Sequence, residues 1–143
     1  MFASEVQPTV VLPSVAANVA LPSVTIPDDF LPPGANINRV TAGFAWRKQV
    51  DSSALANAVN VAQNIQVRSD APGTFVDAIN IADNSLATDA SATEGGEMLL
   101  GDEDISGEVD EADTYEFQWT DADVDGASLT LHDVQTYLLV DYD

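Results

Sequence analysis

The side chains most able to do chemistry lie in an acidic stretch near the end of the chain. Asp102–Asp113 has the sequence DEDISGEVDEAD, in which oxygen-bearing side chains alternate around a glycine. Closely spaced hard oxygen ligands suit Ca²⁺, and glycine permits the sharp turn of a calcium loop. Set against the calcium-loop template, the predicted metal ligands are Asp102, Asp104, Ser106, Asp110 and Asp113.

This acidic stretch departs from the EF-hand template in two respects. The twelfth position is Asp113 rather than the usual bidentate glutamate, and the flanking residues have the patterns of strands or coil rather than of helices. Two interpretations therefore remain open: a solvated acidic turn, and a calcium-stabilised loop in a β protein. Beyond this possible Ca²⁺, the sequence predicts no cofactor.

A second acidic stretch, DADVDG at Asp121–Gly126, matches only half of the same template. Its twelfth position would be His132, which is a poor calcium ligand. Aspartate followed by glycine is also expected in a hairpin turn, where glycine supplies the positive φ. A hairpin turn is the favoured interpretation here.

Catalytic side chains are scarce. The chain has no cysteine, its single histidine is His132, and no serine lies in a G-x-S-x-G nucleophile elbow. Paired carboxylates are available among the many acids, but no cluster of aromatic platforms for sugars accompanies them. The sequence predicts that the protein is not an enzyme.

The negative charge is confined to one half of the chain. Four acids and four bases balance in residues 1–68, whereas residues 69–143 contain twenty acids and no lysine or arginine, which gives the net charge of −20. Such a field repels nucleic acid and anionic lipid, so neither is an expected partner. No apolar run is long enough to span a membrane, and the first residues lack the pattern of a signal peptide, so synthesis in the cytoplasm is expected.

The first thirty-five residues differ from the rest in composition. They contain six of the seven prolines and the near repeat VVLPSV and VALPSV. Dense proline excludes long helices and favours extended chain. The sequence therefore predicts an extended, apolar, proline-rich arm at residues 1–35, lying on its own domain, on a neighbouring subunit or on a larger assembly, and a β-sandwich domain at residues 36–143.

Alternation of apolar and polar residues predicts strands in the second segment. Tyr115, Phe117 and Trp119 share one parity, and the parity slips near His132–Asp133, where we expect a bulge or bend. Further strands are predicted at Arg39–Val50, Thr74–Ile81 and Met98–Leu100, a long loop at Asp83–Gly96, and either helix or strand at Asp51–Gln66.

Several short strands with turns between them predict an all-β fold, an antiparallel β-sandwich. A jelly roll of eight strands in two sheets is the preferred architecture, and an immunoglobulin-like sandwich is the alternative.

The layout resembles small β-sandwich virion proteins of tailed bacteriophages, either decoration or cement proteins or fibre-associated modules. The resemblance lies in the apolar arm (Val10–Pro33), the cysteine-free β body and the ending DTYEFQWTDADVDGASLTLHDVQTYLLVDYD. It implies a structural role in the virion, with the arm on neighbouring capsid or other virion subunits, a homo-oligomer (a trimer is favoured) and the acidic half exposed to the medium. The alternative function is a calcium-dependent receptor- or glycan-binding module.

Overall fold

The computed structural model describes residues 1–13, 17–51, 64–70, 73–80, 93–95, 98–122 and 129–143. All regular secondary structure in these ranges is β. The strands are β1 (Phe2–Ala3), β2 (Gln7–Leu12), β3 (Ala17–Ile26), β4 (Ile37–Ala45), β5 (Lys48–Asp51), β6 (Asn64–Ser69), β7 (Val76–Asn80), β8 (Thr93–Gly95), β9 (Met98–Leu100), β10 (Asp113–Ala122) and β11 (Leu129–Tyr142).

The strands form two antiparallel sheets, as the sequence predicts. Sheet I has β11 at its centre, with β1 and β2 on one side, β4 and β5 on the other, and β9 and β8 beyond them. Sheet II has the order β3-β10-β6-β7. β1 and β2 lie along one line and count as one strand, as do β4 and β5, and β8 and β9, so the described segments make eight strands. Numbered in chain order, these are 1 (β1/β2), 2 (β3), 3 (β4/β5), 4 (β6), 5 (β7), 6 (β8/β9), 7 (β10) and 8 (β11), and the two sheets have the orders 1-8-3-6 and 2-7-4-5. These orders are those of a jelly roll, so the preferred architecture is confirmed.

The core lies between the inner faces of the two sheets. Strand β10 contributes Tyr115, Phe117 and Trp119, all buried, as their shared parity predicts. Phe44 of β4 meets Trp119 edge to face, with ring centroids 5.8 Å apart and planes at 84°. This aromatic pair joins sheet I to sheet II at a distance at which such rings attract each other.

Strand β11 changes its register where the sequence predicts a bulge or bend. Leu131 and Val134 are both buried, and between them Asp133 adopts a positive φ of 53°. Aspartate tolerates this left-handed conformation better than most residues. β4 and β5 both pair with β11, and Arg47 lies at the break between them. There the backbone N–H of Arg47 donates to the carbonyl of His132 at 3.0 Å. The single strand predicted at Arg39–Val50 is therefore two strands that bend together with β11.

The proline-rich segment supplies the first two of the eight strands. β2 pairs with β11, and β3 pairs with β10 as the outermost strand of sheet II. Pro22 is tolerated because an edge strand has one unpaired side, and its carbonyl accepts a 2.7 Å hydrogen bond from the Thr136 hydroxyl. Of the surfaces left open by the sequence, the segment lies on its own domain, because β2 and β3 pair with strands of both sheets. Its buried apolar side chains are Val10, Leu12, Leu21, Val24 and Ile26.

Three other expectations have different outcomes. The strands predicted at Thr74–Ile81 and Met98–Leu100 are confirmed as β7 and β9. The loop expected at Asp83–Gly96 is wrong at Thr93–Gly95, which pairs with β5 as β8. Most of Asp51–Gln66 lies outside the described residues, but β5 ends at Asp51 and β6 begins at Asn64.

Candidate functional site

The acidic stretch 102–113 is attached to the edge of sheet I by backbone hydrogen bonds. Gly101 N donates to the carbonyl of Ala42 and Ile105 N to that of Val40, both at 2.8 Å. Gly101 has no room for a side chain, because a Cβ there would lie 2.1 Å from the carbonyl oxygen of Ala78. Ile105 is buried in the core, so the beginning of the stretch is fixed in place.

Two of the five predicted calcium ligands, Asp104 and Asp113, have carboxylates that accept hydrogen bonds from the protein itself. Asp104 Oδ1 accepts the backbone N–H groups of Val40 at 3.2 Å and Ser106 at 3.0 Å. These hydrogen bonds, that to Ser106 above all, lower the pKa of the Asp104 carboxyl because they stabilise its ionised form. Asp113 Oδ2 accepts the Ser69 hydroxyl at 2.7 Å.

Of the three remaining predicted ligands, Asp102 and Asp110 are exposed and Ser106 is partly buried. In the ranges that the structure describes, no group of three or more His, Asp or Glu side chains is placed to hold a metal ion. The calcium site stays a prediction without support from the arrangement of these side chains.

Glu108 has a structural role that the sequence analysis did not find. Its Oε1 accepts the backbone N–H of Ser69 at 2.7 Å, at the start of the β6–β7 connection. A Cβ at Gly73 would lie 2.8 Å from the backbone N of Ser69, so glycine is needed at this turn. The two segments are far apart in sequence, and no local pattern signals the contact.

The hairpin expected at Asp121–Gly126 is wrong. Residues 123–128 lie outside the described part of the chain, but the flanking strands β10 and β11 belong to different sheets and do not pair with each other. The connection therefore passes from sheet II to sheet I. Nearby, His132 occupies β11 opposite Thr9 and Lys48, which agrees with a strand position at the bend.

The outer face of sheet II has a groove of about 360 Å³. At one end of the groove, Arg68 donates from Nε to Glu116 Oε2 at 2.7 Å, and its Nη2 lies 2.6 Å from the same oxygen. The Arg68 guanidinium carbon also lies 4.4 Å from the centre of the Phe75 ring. Arg68 is thus held in one orientation by an ion pair on one side and a cation–π contact on the other.

A third charged group, Asp70, lies beside this ion pair. A hydrogen bond to Glu116 raises the pKa of the Asp70 carboxyl, with smaller contributions from desolvation and from the negative charges of Glu116 and Asp113. Arg68 opposes this shift but does not cancel it. Arg68 and Glu116 belong to the groove lining, and Asp70 is a second carboxyl group that interacts with Glu116 from outside this lining.

We expect Asp70→Asn to raise the melting temperature at neutral pH. A carboxyl whose pKa is raised by folding binds more protons in the folded than in the unfolded state. Its contribution to stability therefore falls as the pH rises from its ordinary pKa, about 3.9, through its raised pKa in the folded protein. An asparagine removes this loss and still donates to Glu116. Below about pH 3 the two proteins should melt together, because Asp70 is then neutral in both states.

Melting curves from pH 3 to pH 8 test this expectation. Asp28→Asn, which removes one negative charge from an exposed turn elsewhere, is the matched control. A constant difference in melting temperature between Asp70→Asn and the wild type at every pH would contradict the proposed interaction.

The outer face of sheet I, in contrast, has an apolar surface. Met98 and Leu100 of β9 are 48% and 57% exposed. Both side chains converge with Tyr137 above Gly43: an added Cβ at Gly43 would lie 3.4 Å from Leu100 Cδ2 and from Met98 Cε, and 3.5 Å from Tyr137 Cβ. We call this surface the apolar face; its described residues are Gly43, Ala45, Met98, Leu100, Tyr137 and Leu139.

Comparisons with known proteins give little beyond this geometry. No family model matches the chain, and neither does any curated protein. The chain is similar to a solved structure described as the crystal structure of FlhE, with 12% identity over 96% of this chain and 93% of that one, and a TM-score of 0.34. At that score we draw no argument from the likeness. Among the residues described, no helix has the length and apolar character to cross a membrane.

Proposed function

We propose that the protein is a structural component of an assembly, in the capsid decoration or cement role that its layout suggests, and that its copies associate through the apolar face. The observation that carries this proposal is the exposure of Met98 and Leu100 side by side above Gly43. Contiguous exposed apolar surface on a folded domain marks a site of interaction.

The occupant that we favour for this face is a second copy of the same chain. With a net charge of −20, two copies repel each other wherever acidic side chains meet. Ala45 pairs with Met98 and Gln135, and Gly43 pairs with Leu100 and Tyr137. These residues form two cross-strand rows on the outer face of sheet I, and none of them is charged. An uncharged apolar surface is where two acidic subunits approach with the least repulsion, and interfaces of homo-oligomers are richer in apolar area than other interfaces.

Assembly through the apolar face replaces the expected role of the proline-rich segment. β2 and β3 are used within the domain, where their inward side chains are buried. Contact with neighbouring subunits therefore falls to the outer face of sheet I, and most of the acidic surface is left to face the medium. Capsid or other virion proteins are the proposed partners, the virion is the proposed location, and a trimer stays the favoured oligomer.

A single added charge on the apolar face should prevent association. Leu100→Lys places an ammonium group at a position that is more than half exposed, so the fold should tolerate it while a desolvated interface should not. We expect sedimentation of this variant to give a monomer. Ala17→Lys, at an exposed position of β3 on the other sheet, adds the same charge and should leave association unchanged.

Two outcomes would contradict the proposal. Leu100→Lys could associate as strongly as the wild type while melting normally, which would remove the apolar face from the interface. Equal disruption by Ala17→Lys would mean that association depends on the total charge rather than on this surface.

A further inference from the structure

The groove on the outer face of sheet II has features that the proposed assembly does not use. Its floor lies on β3 and β10, where the pairing is irregular between Tyr115 and Phe117, and Phe75 lies beside Arg68 in its lining. A volume of about 360 Å³ falls in the range of small-molecule sites. The groove and the apolar face are on opposite sheets, so a molecule bound at one of them does not cover the other.

The amide groups along this face have a fixed orientation. Gln66 Nε2 donates to Asp77 Oδ1 at 2.7 Å, and Gln118 Nε2 donates to Gln66 Oε1 at 2.9 Å. The Asp77 carboxylate only accepts hydrogen bonds, so Gln66 must direct its Nε2 to Asp77 and its Oε1 to Gln118. Gln118 then donates from its own Nε2, and its Oε1 points away from Gln66. The groove therefore has an oriented amide acceptor in its lining.

The charged end of the groove adds further donors and acceptors. A guanidinium carries five N–H donors, and Glu116 Oε2 accepts from only two of the Arg68 nitrogens. Ser23 adds a hydroxyl to the lining, and Ala20, Leu21 and Phe75 add apolar surface. Planar donors and acceptors beside a small apolar surface match a ring that has hydroxyls at its edge and C–H groups on its faces.

Charge decides between the classes of ligand. An anion is disfavoured by the net charge of −20. A cation would have to displace Arg68 from Glu116, which holds it by two contacts. A neutral polyhydroxyl ring needs no such displacement, because each hydroxyl both donates and accepts.

From these observations we propose that the groove formed by Ser23, Arg68, Phe75, Glu116 and Gln118 binds a neutral pyranose sugar. Arg68 and Gln118 hydrogen-bond its hydroxyls, and the apolar part of the groove contacts its C–H groups. The same chemistry is present in free monosaccharides and in the units of a polysaccharide. The site is independent of calcium and of the predicted ligands in the acidic stretch.

Amide chemical-shift titration of the whole protein tests this site. The probes are glucose, galactose, mannose and N-acetylglucosamine, each as the free sugar and as a neutral oligosaccharide, with sialic acid and a short oligolysine peptide for comparison. We expect saturable shifts for at least one neutral sugar at the amides of Ala20, Glu116 and Gln118, with dissociation constants on the order of 1 mM. Saturation by oligosaccharides alone would assign the natural source to a polymer, and saturation by monosaccharides as well would include free sugars.

Three variants make the test specific. Gln118→Ala and Phe75→Ala should each weaken the binding about tenfold, which corresponds to the loss of one good contact. Thr25→Ala lies on the same face outside the groove lining and should bind like the wild type. The melting temperature of each variant shows that it is folded.

The proposal would be overturned by the absence of saturable shifts with every neutral sugar, by shifts that Gln118→Ala and Phe75→Ala leave unchanged, or by saturation with oligolysine or sialic acid alone.

Discussion

A fragment that begins at Gly34 is expected not to fold. Residues 1–33 supply β1, β2 and β3, and five of their apolar side chains are buried between the sheets. Burial of each such side chain contributes about 1.5–3 kcal/mol, so the five together contribute roughly 8–15 kcal/mol. This sum is as large as the whole free energy of unfolding of a typical domain, about 5–15 kcal/mol. The fragment should lack a cooperative thermal transition and the near-ultraviolet circular dichroism of packed aromatic residues.

Two single substitutions in β2 provide the matched control. Leu12 is buried, and Leu12→Ala should lower the free energy of unfolding by about 2–5 kcal/mol. Its neighbour Val11 is 50% exposed, and Val11→Ala should have an effect within about 0.5 kcal/mol. If residues 34–143 alone unfolded cooperatively at a temperature near that of the whole chain, the segment would be a separate arm and this description of the fold would fail.

The second large effect is expected from Phe44→Ala. Phe44 is fully buried on β4 and contacts Trp46 at 5.5 Å and Trp119 of the opposite sheet at 5.8 Å between ring centroids. Removal of its ring leaves a cavity between the two sheets, for which the usual cost is about 3–5 kcal/mol. Denaturant unfolding followed by tryptophan fluorescence measures this loss, because both neighbours are tryptophans.

Phe75→Ala is the control for this prediction. Phe75 is only partly buried on the outer face of sheet II, where its described ring contact is with Arg68. Its replacement should cost about 1 kcal/mol, the size of an exposed cation–π contact together with a small buried area. An equal loss of stability in the two variants would mean that the two sheets do not meet at Phe44.

The fold class could be predicted from the sequence because period-two patterns report directly which face of a strand is buried. Tyr115, Phe117 and Trp119 alternate strictly, and the slip after Leu131 marks the bend at Asp133. Turn chemistry was less informative. The Asp-Gly pair after β10 indicates a change of direction, but it does not tell whether the next strand pairs in the same sheet or enters the other one.

Composition misled the prediction in two places. Prolines made residues 1–35 resemble an arm, whereas Pro22 lies in an edge strand whose other side pairs with β10. Thr93–Gly95 lies in a run of small and polar residues with low strand propensity, yet pairing with β5 makes it a strand. In both places tertiary pairing overrides local preference.

The candidate sites were harder to predict because their residues are distant in sequence. Arg68 and Glu116 are 48 positions apart, and Ser69 and Glu108 are 39 apart. The meeting of Arg68 with Glu116 depends on the register of β6 against β10, which a single sequence does not specify. The sequence did indicate Met98–Leu100 as an apolar strand, but the burial of Leu99 and the exposure of both its neighbours follow from the position of β9 at the sheet edge.

Association through the apolar face is tested most directly by the solution mass of the whole chain. The mass is measured by light scattering over a range of concentrations at near-physiological salt. We expect a multiple of the 15.1 kDa chain mass, two or three copies, that reverts to a single chain in Leu100→Lys. A mass of 15.1 kDa for the wild-type protein at every concentration would contradict the proposal that its copies assemble.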